Sequence, residues 1–346
     1  MRHSQTAAIR RSAAIAAVAV ATLALAACST PAAGGASDDS GKGKTLQIAY
    51  ISFAVANTYD APMLAEAQKV ADANNAQLTV LDGNLDPNTQ VQLIQDAIAS
   101  GQYDGMITQP IFGPAILDVV KQAIDAGITV VNIDQILGSD FTTGKTQIDG
   151  LSANVVFVPK ELGVKFGQQI VAACASKNLD PCNIAYLHDV KASAIGQALY
   201  AGFQEATKGS PVKVVAEGET FYNPATAQTA VSDMLTANSN IDLFATSDQG
   251  LQGAVGAIDA AGKKASDFMF VGYGGSKWGQ QHVADGTVFA DVVQAPATEG
   301  RVGMQALIDA LRNKKDAGDV DPFKDFPNNG VMTKETADKF TGEWAG

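Results

Sequence analysis

The chain is poor in the residues on which most enzyme chemistry depends. Its 346 residues include three histidines and three cysteines, too few cysteines for a disulfide-built scaffold or an all-Cys zinc site. No His-Glu-x-x-His or Cys-x-x-Cys pattern occurs, so no transition-metal site is expected. No Gly-x-Ser-x-Gly elbow occurs either, which leaves no recognisable nucleophile. Bases are scarce as well: 24 Lys and Arg stand against 36 Asp and Glu, for a net charge of −12. That balance provides no positive field to gather phosphates, and nucleic-acid binding is excluded as a role. Aromatics make up only 7%. The longest apolar run, Ala13 to Ala27, falls short of the roughly 20 residues that span a bilayer.

That run has a recognisable use. Arg2, Arg10 and Arg11 precede it and no acid does, as in a secretion signal. It ends Leu25-Ala26-Ala27-Cys28, which resembles the lipobox of bacterial lipoproteins. The resemblance implies removal of residues 1–27, acylation of Cys28 and a lipid anchor on the outer face of the cell membrane. Residues 28–44 are small, polar and rich in Gly and Ser, the composition of a flexible tether. Without the leader, 21 bases face 36 acids, a net charge of −15. Outside the cytoplasm disulfides persist, and Cys174 and Cys182, the two cysteines then left free, are expected to form one short-loop bridge.

From Thr45 onward, β-branched runs alternate with amphipathic stretches. Strands are expected at Leu46–Ser52, Gln77–Leu81, Gly105–Thr108 and Ile128–Asn132, separated by helices at Met63–Asn74, Val91–Ala99 and Ile116–Ala126. A second half repeats the rhythm from a helix at Pro159–Ala175 to a last helix at Thr298–Leu311. Such alternation predicts an α/β fold with parallel sheets covered on both faces. Asp86-Pro87-Asn88-Thr89 and Asn223-Pro224-Ala225-Thr226 occupy matching places in the two halves, each pairing an Asx cap with a proline in the first turn of a helix. His188 follows a strand and His282 sits on a helix, as structural histidines do. Gly272-Tyr273-Gly274-Gly275-Ser276 lacks the spacing of a phosphate cradle and reads as a turn at a strand's carboxyl end.

Several strand ends carry an ordered pattern: Ile48–Ser52 running into Phe53–Asp60, Asp104–Pro110, Ile128–Asp134, Phe244–Asp248, Phe270–Gly274 and Asp291–Pro296. In this order, from about Thr45 to Phe340, they resemble the ribose- and galactose-binding-protein family of type I periplasmic binding proteins, extracytoplasmic receptors that feed ATP-driven importers. The resemblance implies two doubly wound parallel-sheet lobes joined by a three-segment hinge. The crossings would lie near Ile148–Ser152, Gln294 and Phe326–Asn328. One lobe would hold residues 45–151 plus 295–326, and the other 152–294 plus 327–346.

It also implies a ligand site, position by position. Asn57 and Tyr59 match the first strand–helix loop, with Phe53 beside them. Gln109 matches an amide before proline, and Asp134 the carboxylate that grips sugar hydroxyls by accepting two hydrogen bonds at once. Tyr222 matches a ring-facing aromatic, Ser247 and Asp248 an Asn-Asp pair, and Gln294 the amide at the second crossing. Gln135 and Gln197 stand where the ribose receptor has arginine, and Gly274 where it has aspartate. Amides in place of arginines suit neutral hydroxyls, so the expected ligand is a neutral monosaccharide or sugar alcohol other than ribose. Plainer roles stay open for several of these residues, with Asp248 as a helix cap and Tyr59 and Tyr222 as packing groups.

The expected protein is thus a monomeric solute-binding lipoprotein that closes its lobes on a sugar and passes it to an ABC permease, without cofactor, metal or catalysis. The alternatives are a receptor for a small polar signal of autoinducer type, or an enzyme on the same scaffold.

Overall fold

The structure, a computed structural model, describes residues 43–346. The leader 1–27, the acylation site Cys28 and the tether as far as residue 42 lie outside the described residues.

The first half of the chain runs β1 (Leu46–Ser52), α1 (Asp60–Ala73), β2 (Ala76–Asp82), α2 (Pro87–Ser100), β3 (Gly105–Thr108), α3 (Gly113–Asp125), β4 (Thr129–Asp134) and β5 (Ala153–Val156). The second runs α4 (Pro159–Ser176), β6 (Cys182–His188), α5 (Ala194–Thr207), β7 (Val212–Glu219), α6 (Pro224–Ala237), β8 (Leu243–Ser247), α7 (Asp248–Ala260), β9 (Met269–Gly274), α8 (Lys277–Asp285) and β10 (Ala290–Val293). The chain closes with α9 (Pro296–Asn313), β11 (Gly318–Val320) and β12 (Val331–Thr333).

These strands form two six-stranded sheets, ordered β11-β5-β4-β3-β1-β2 and β12-β10-β9-β8-β6-β7. Both are parallel apart from β12, which runs antiparallel to β10. Each sheet has a core on both faces because successive strand residues point to opposite sides. In β1, Ile48 and Tyr50 join one cluster, while Ala49 and Ile51 join the other. In β8, Leu243 and Ala245 face one side, and Phe244 the other.

The repeated capping motif is built in both lobes. Asp86 accepts a hydrogen bond from Asn88 N at the start of α2, and Asn223 accepts from Ala225 N and Thr226 N at the start of α6. Each holds extended backbone before a proline-led helix. The expected disulfide joins Cys174 to Cys182, tying the end of α4 to the start of β6.

One expected boundary is corrected. Residues 153–156 form β5, paired parallel to β4 with Asp134 opposite Val156. The first crossing between sheets therefore lies beyond Val156, not near 148–152, and the first lobe keeps residues the sequence reading gave to the second. Ala-Asn-Val-Val is too short to show a period, and its neighbours supply the pairing. The other crossings lie between β10 and α9, and between β11 in the first sheet and β12 in the second.

Helix α4 packs closely on α5 because two glycines admit the partner's backbone. A Cβ on Gly163 would meet Leu199 O at 2.0 Å, and one on Gly202 would meet Lys160 O at 2.1 Å. This contact fixes the face of α5 that carries Ile195 and Leu199.

Candidate functional site: a cleft between the carboxyl ends of two sheets

In open α/β sheets, ligands bind beyond the carboxyl ends of the strands. Here both sheets turn those ends toward one cavity of about 60 Å³, where about 10–15 Å³ admits a single water. Its aromatic walls are Phe53, Tyr59, Phe157, Tyr222, Tyr273 and Trp344, and its polar groups are Asn57, Asp60, Asp134, Gln135, Ser247, Gln249 and Gln294. Leu162, Ile195, Leu199 and the backbone of Gly274 complete it. Among the described residues, no Lys, Arg or His lines it.

On the first lobe the polar groups are held by an amide between two acids. Gln109 Nε2 donates to Asp60 Oδ1 at 2.8 Å and to Asp134 Oδ2 at 2.9 Å, while its Oε1 accepts from Phe53 N. Asp60 Oδ2 also accepts from Ala54 N, and Asp134 Oδ2 from Gln135 Nε2 at 3.0 Å. Asp134 Oδ1 and Gln135 Oε1 are buried without a hydrogen-bond partner among the described residues. Burial pushes the Asp60 carboxyl up to about 7, against the opposing pull of the Gln109 hydrogen bond. Burial likewise raises Asp134 to about 6. Glu299, at the first turn of α9, accepts from Tyr59 Oη at 3.1 Å, and burial, reinforced by the charge on Asp134, lifts it well above the usual carboxylate range.

On the second lobe a buried carboxylate organises the wall. Asp189 accepts from Thr220 Oγ1, Ser247 Oγ and Tyr273 Oη, the Ser247 bond measuring 2.7 Å. Burial raises its carboxyl despite these three donors. Both lobes also place a non-glycine residue in left-handed backbone at the cavity: Asp134 with φ 64° and Tyr222 with φ 52°. Such conformations cost on the order of 1–3 kcal/mol and persist where surrounding structure enforces them, often at functional sites.

Of the residues singled out from the sequence, Phe53, Asn57, Tyr59, Asp134, Gln135, Tyr222, Ser247 and Gln294 line the cavity. Gln109 stands behind it as the positioning amide just described. Two expectations are corrected. Gln197 is exposed and bonds Ala192 O. Ile195 and Leu199 share a helix face, and a residue midway between them is rotated by about 200° from each, away from the cavity. Asp248 is fully buried behind the Gly274–Gly275 turn, accepting from Ser276 N at 2.7 Å. It faces Asp291, whose carboxyl is pushed well above the usual carboxylate range by burial and then by the charge of Asp248. The next residue on α7, Gln249, is the one that reaches the cavity.

Sequence reasoning missed Asp60, Phe157, Asp189, Gln249 and Trp344 as site-building residues. Asp60 and Asp189 follow strand ends, as binding residues do in this architecture, but neither stands at a ligand position that the resemblance marks. Trp344 had no local signal. Its indole lies where a Cβ on Gly274 would approach it to 2.9 Å, so the space left by the aspartate-to-glycine departure is filled from far along the chain.

Comparison with known proteins agrees with this architecture. Residues 48–315 match the model of the periplasmic binding protein domain. The chain belongs to that family. The ribose import binding protein of Escherichia coli is 26% identical over 269 residues, covering 78% of this chain and 86% of that protein. The D-ribose/D-allose-binding protein of Pseudomonas aeruginosa is 26% identical over 70% of this chain and 73% of its own length. Among solved structures, an ABC transporter solute-binding protein from Agrobacterium vitis with bound D-fucose superposes with a TM-score of 0.71 at 25% identity, covering 85% of this chain and 97% of that one. A galactofuranose-binding protein superposes with a TM-score of 0.73 at 20% identity, covering 85% and 96%. The family and these relatives are solute-binding proteins, not enzymes.

Proposed function

We propose that this periplasmic binding protein captures a small neutral sugar or sugar alcohol between its lobes and delivers it to an ABC importer. The observation that carries the reading is Asp134 Oδ1: a buried acceptor, unpartnered among the described residues, held by left-handed backbone on the cavity wall. Leaving such an acceptor unpaired costs roughly 1–3 kcal/mol, and a hydroxyl donor from a ligand removes that cost. Aromatic plates opposite suit the apolar C–H faces of a sugar, and the unpaired Gln135 Oε1 offers a second acceptor. An anionic ligand finds no cation on the walls and three carboxyls nearby, so carboxylated and phosphorylated sugars are rejected.

The names of the relatives support a sugar or polyol. Beside ribose and allose binders stand solved solute-binding proteins with bound myo-inositol and glycerol. Residues from both sheets line the cavity, so a ligand that touches both binds the closed arrangement better and shifts the population toward it. The protein acts as a monomer, tethered by acylated Cys28 to the outer face of the membrane, with the closed form presented to the permease.

A thermal-shift screen of the purified protein against neutral monosaccharides, polyols and their acid or phosphate derivatives tests the reading. A true ligand at 100 times its dissociation constant adds about 2.7 kcal/mol of stability. Stabilisation by sugar acids but by no neutral member of the panel would overturn it.

A further inference from the structure

We propose that Trp344 is a specificity-determining wall of the ligand cavity that limits the size of the sugar or polyol it admits. The inference rests on the reading of the cleft as a solute site and deepens it. Trp344 is only 3% exposed, lines the cavity and belongs to neither sheet. Its Nε1 donates to Gly274 O at 2.8 Å, on the second lobe. Its ring stands edge-on to Tyr59 on the first lobe, with centroids 5.4 Å apart and planes at 75°. Any side chain at Gly274 collides with the indole, since a Cβ there lies 2.9 Å from Cζ2.

The residues around Trp344 strap it to both lobes. On the second lobe, Lys277 N donates to Trp344 O at 2.9 Å and Trp278 N to Ala345 O at 3.3 Å, using amide groups at the start of α8. On the first lobe, Glu343 accepts from Thr298 N at 2.8 Å and Thr298 Oγ1 at 2.6 Å, and Gly346 O accepts from Thr58 Oγ1 at 3.4 Å. The indole is therefore clamped only while the lobes are together, and it occupies room that a larger ring needs. With about 60 Å³ left, less than half of the roughly 150 Å³ that holds a benzene, any sugar or polyol competes with the indole for room, and a larger ring competes more.

The chain has two tryptophans, which makes the test direct. Trp278 stacks on His282 at 4.0 Å in α8 and does not line the cavity. Wild type, Trp344→Ala, Trp344→Phe and Trp278→Phe are titrated with xylitol, erythritol, ribose, arabinose, glucose and galactose by calorimetry and by intrinsic fluorescence. The expected result is a ligand-dependent emission change in wild type and Trp278→Phe that is absent in Trp344→Phe, whose calorimetric affinity falls about tenfold. Trp344→Ala loses about 100-fold for the member of the panel that wild type prefers, and discrimination against larger members shrinks at least tenfold. Should Trp344→Ala fail to fold, Trp344→Phe carries the same comparison. Unchanged affinity and selectivity in both Trp344 variants overturns the inference while leaving the sugar receptor in place. Failure of wild type to bind any of the six removes the inference, while the receptor reading is decided by the wider screen.

Discussion

Gln109 Nε2 lies 2.9 Å from Asp134 Oδ2 and gives this buried carboxylate one of its two amide protons. The other goes to Asp60, so one neutral side chain spans two acids that have no cation beside them on the cavity wall. The hydrogen bonds oppose burial, which raises both acids. The amide keeps Asp134 both oriented and available as an acceptor.

Replacing the amide therefore weakens ligand binding through Asp134, which Gln109 orients. Gln109→Ala leaves two buried carboxyls short of a donor, a cost of about 1–3 kcal/mol for each unpaired group. We expect affinity for the natural ligand to fall by about tenfold to 100-fold by calorimetry at pH 7.5. The loss should be larger at pH 6, where the carboxyls take up protons. An equal loss at both values would place the effect in packing rather than in the acids.

The same acids set the pH dependence of the ligand-free protein. Asp60 and Asp134 titrate at about 7 and about 6 in the fold, above the value of about 3.9 for an unfolded Asp. A raised carboxyl stabilises the fold fully below the unfolded value, and that stability is lost as pH rises through the folded value. Melting temperature should therefore fall from about pH 5 to pH 8, with Glu299 and Asp189 shifted in the same direction. Asp60→Asn should flatten the slope. A melting temperature that rises over this interval, equally in wild type and variant, would contradict the electrostatics drawn for the site.

On α5, one substitution should be silent and its neighbour costly. Gln197→Ala removes an exposed side chain that bonds Ala192 O, and its effect on affinity should stay within about 0.5 kcal/mol. Leu199→Ala opens the cavity wall and should weaken binding by about tenfold or more. Calorimetry on the two variants checks this, and a reversed order would restore Gln197 to the site.

The contrast shows what the sequence made legible. Periodicity located the strands that bear the site, and the family resemblance pointed to eight of the cavity-lining positions. Sequence position does not report helix rotation, however, and one or two residues decide whether Asp248 or Gln249, and Gln197 or Leu199, faces the cavity. Strand β5 was invisible because four residues carry too little pattern, and β4 supplies what they lack. Trp344 was invisible for the opposite reason: its role depends on Gly274 and Tyr59, both distant in the chain.

The disulfide should matter for stability and not for recognition. Cys174 and Cys182 lie at the end of α4 and the start of β6, away from the carboxyl ends that face the cavity. Closing so short a loop contributes about 2–3 kcal/mol in the chain-entropy view. Cys174→Ser with Cys182→Ser should lower denaturant stability by about that amount and leave ligand affinity unchanged.

Small-angle scattering with and without a ligand found by the thermal screen tests the clamp most directly. Wild type should contract when the ligand is added, and Asp134→Ala, deprived of the acceptor that the ligand satisfies, should stay unchanged at the same concentration. Identical wild-type curves at a concentration where the ligand demonstrably binds would contradict capture by lobe closure.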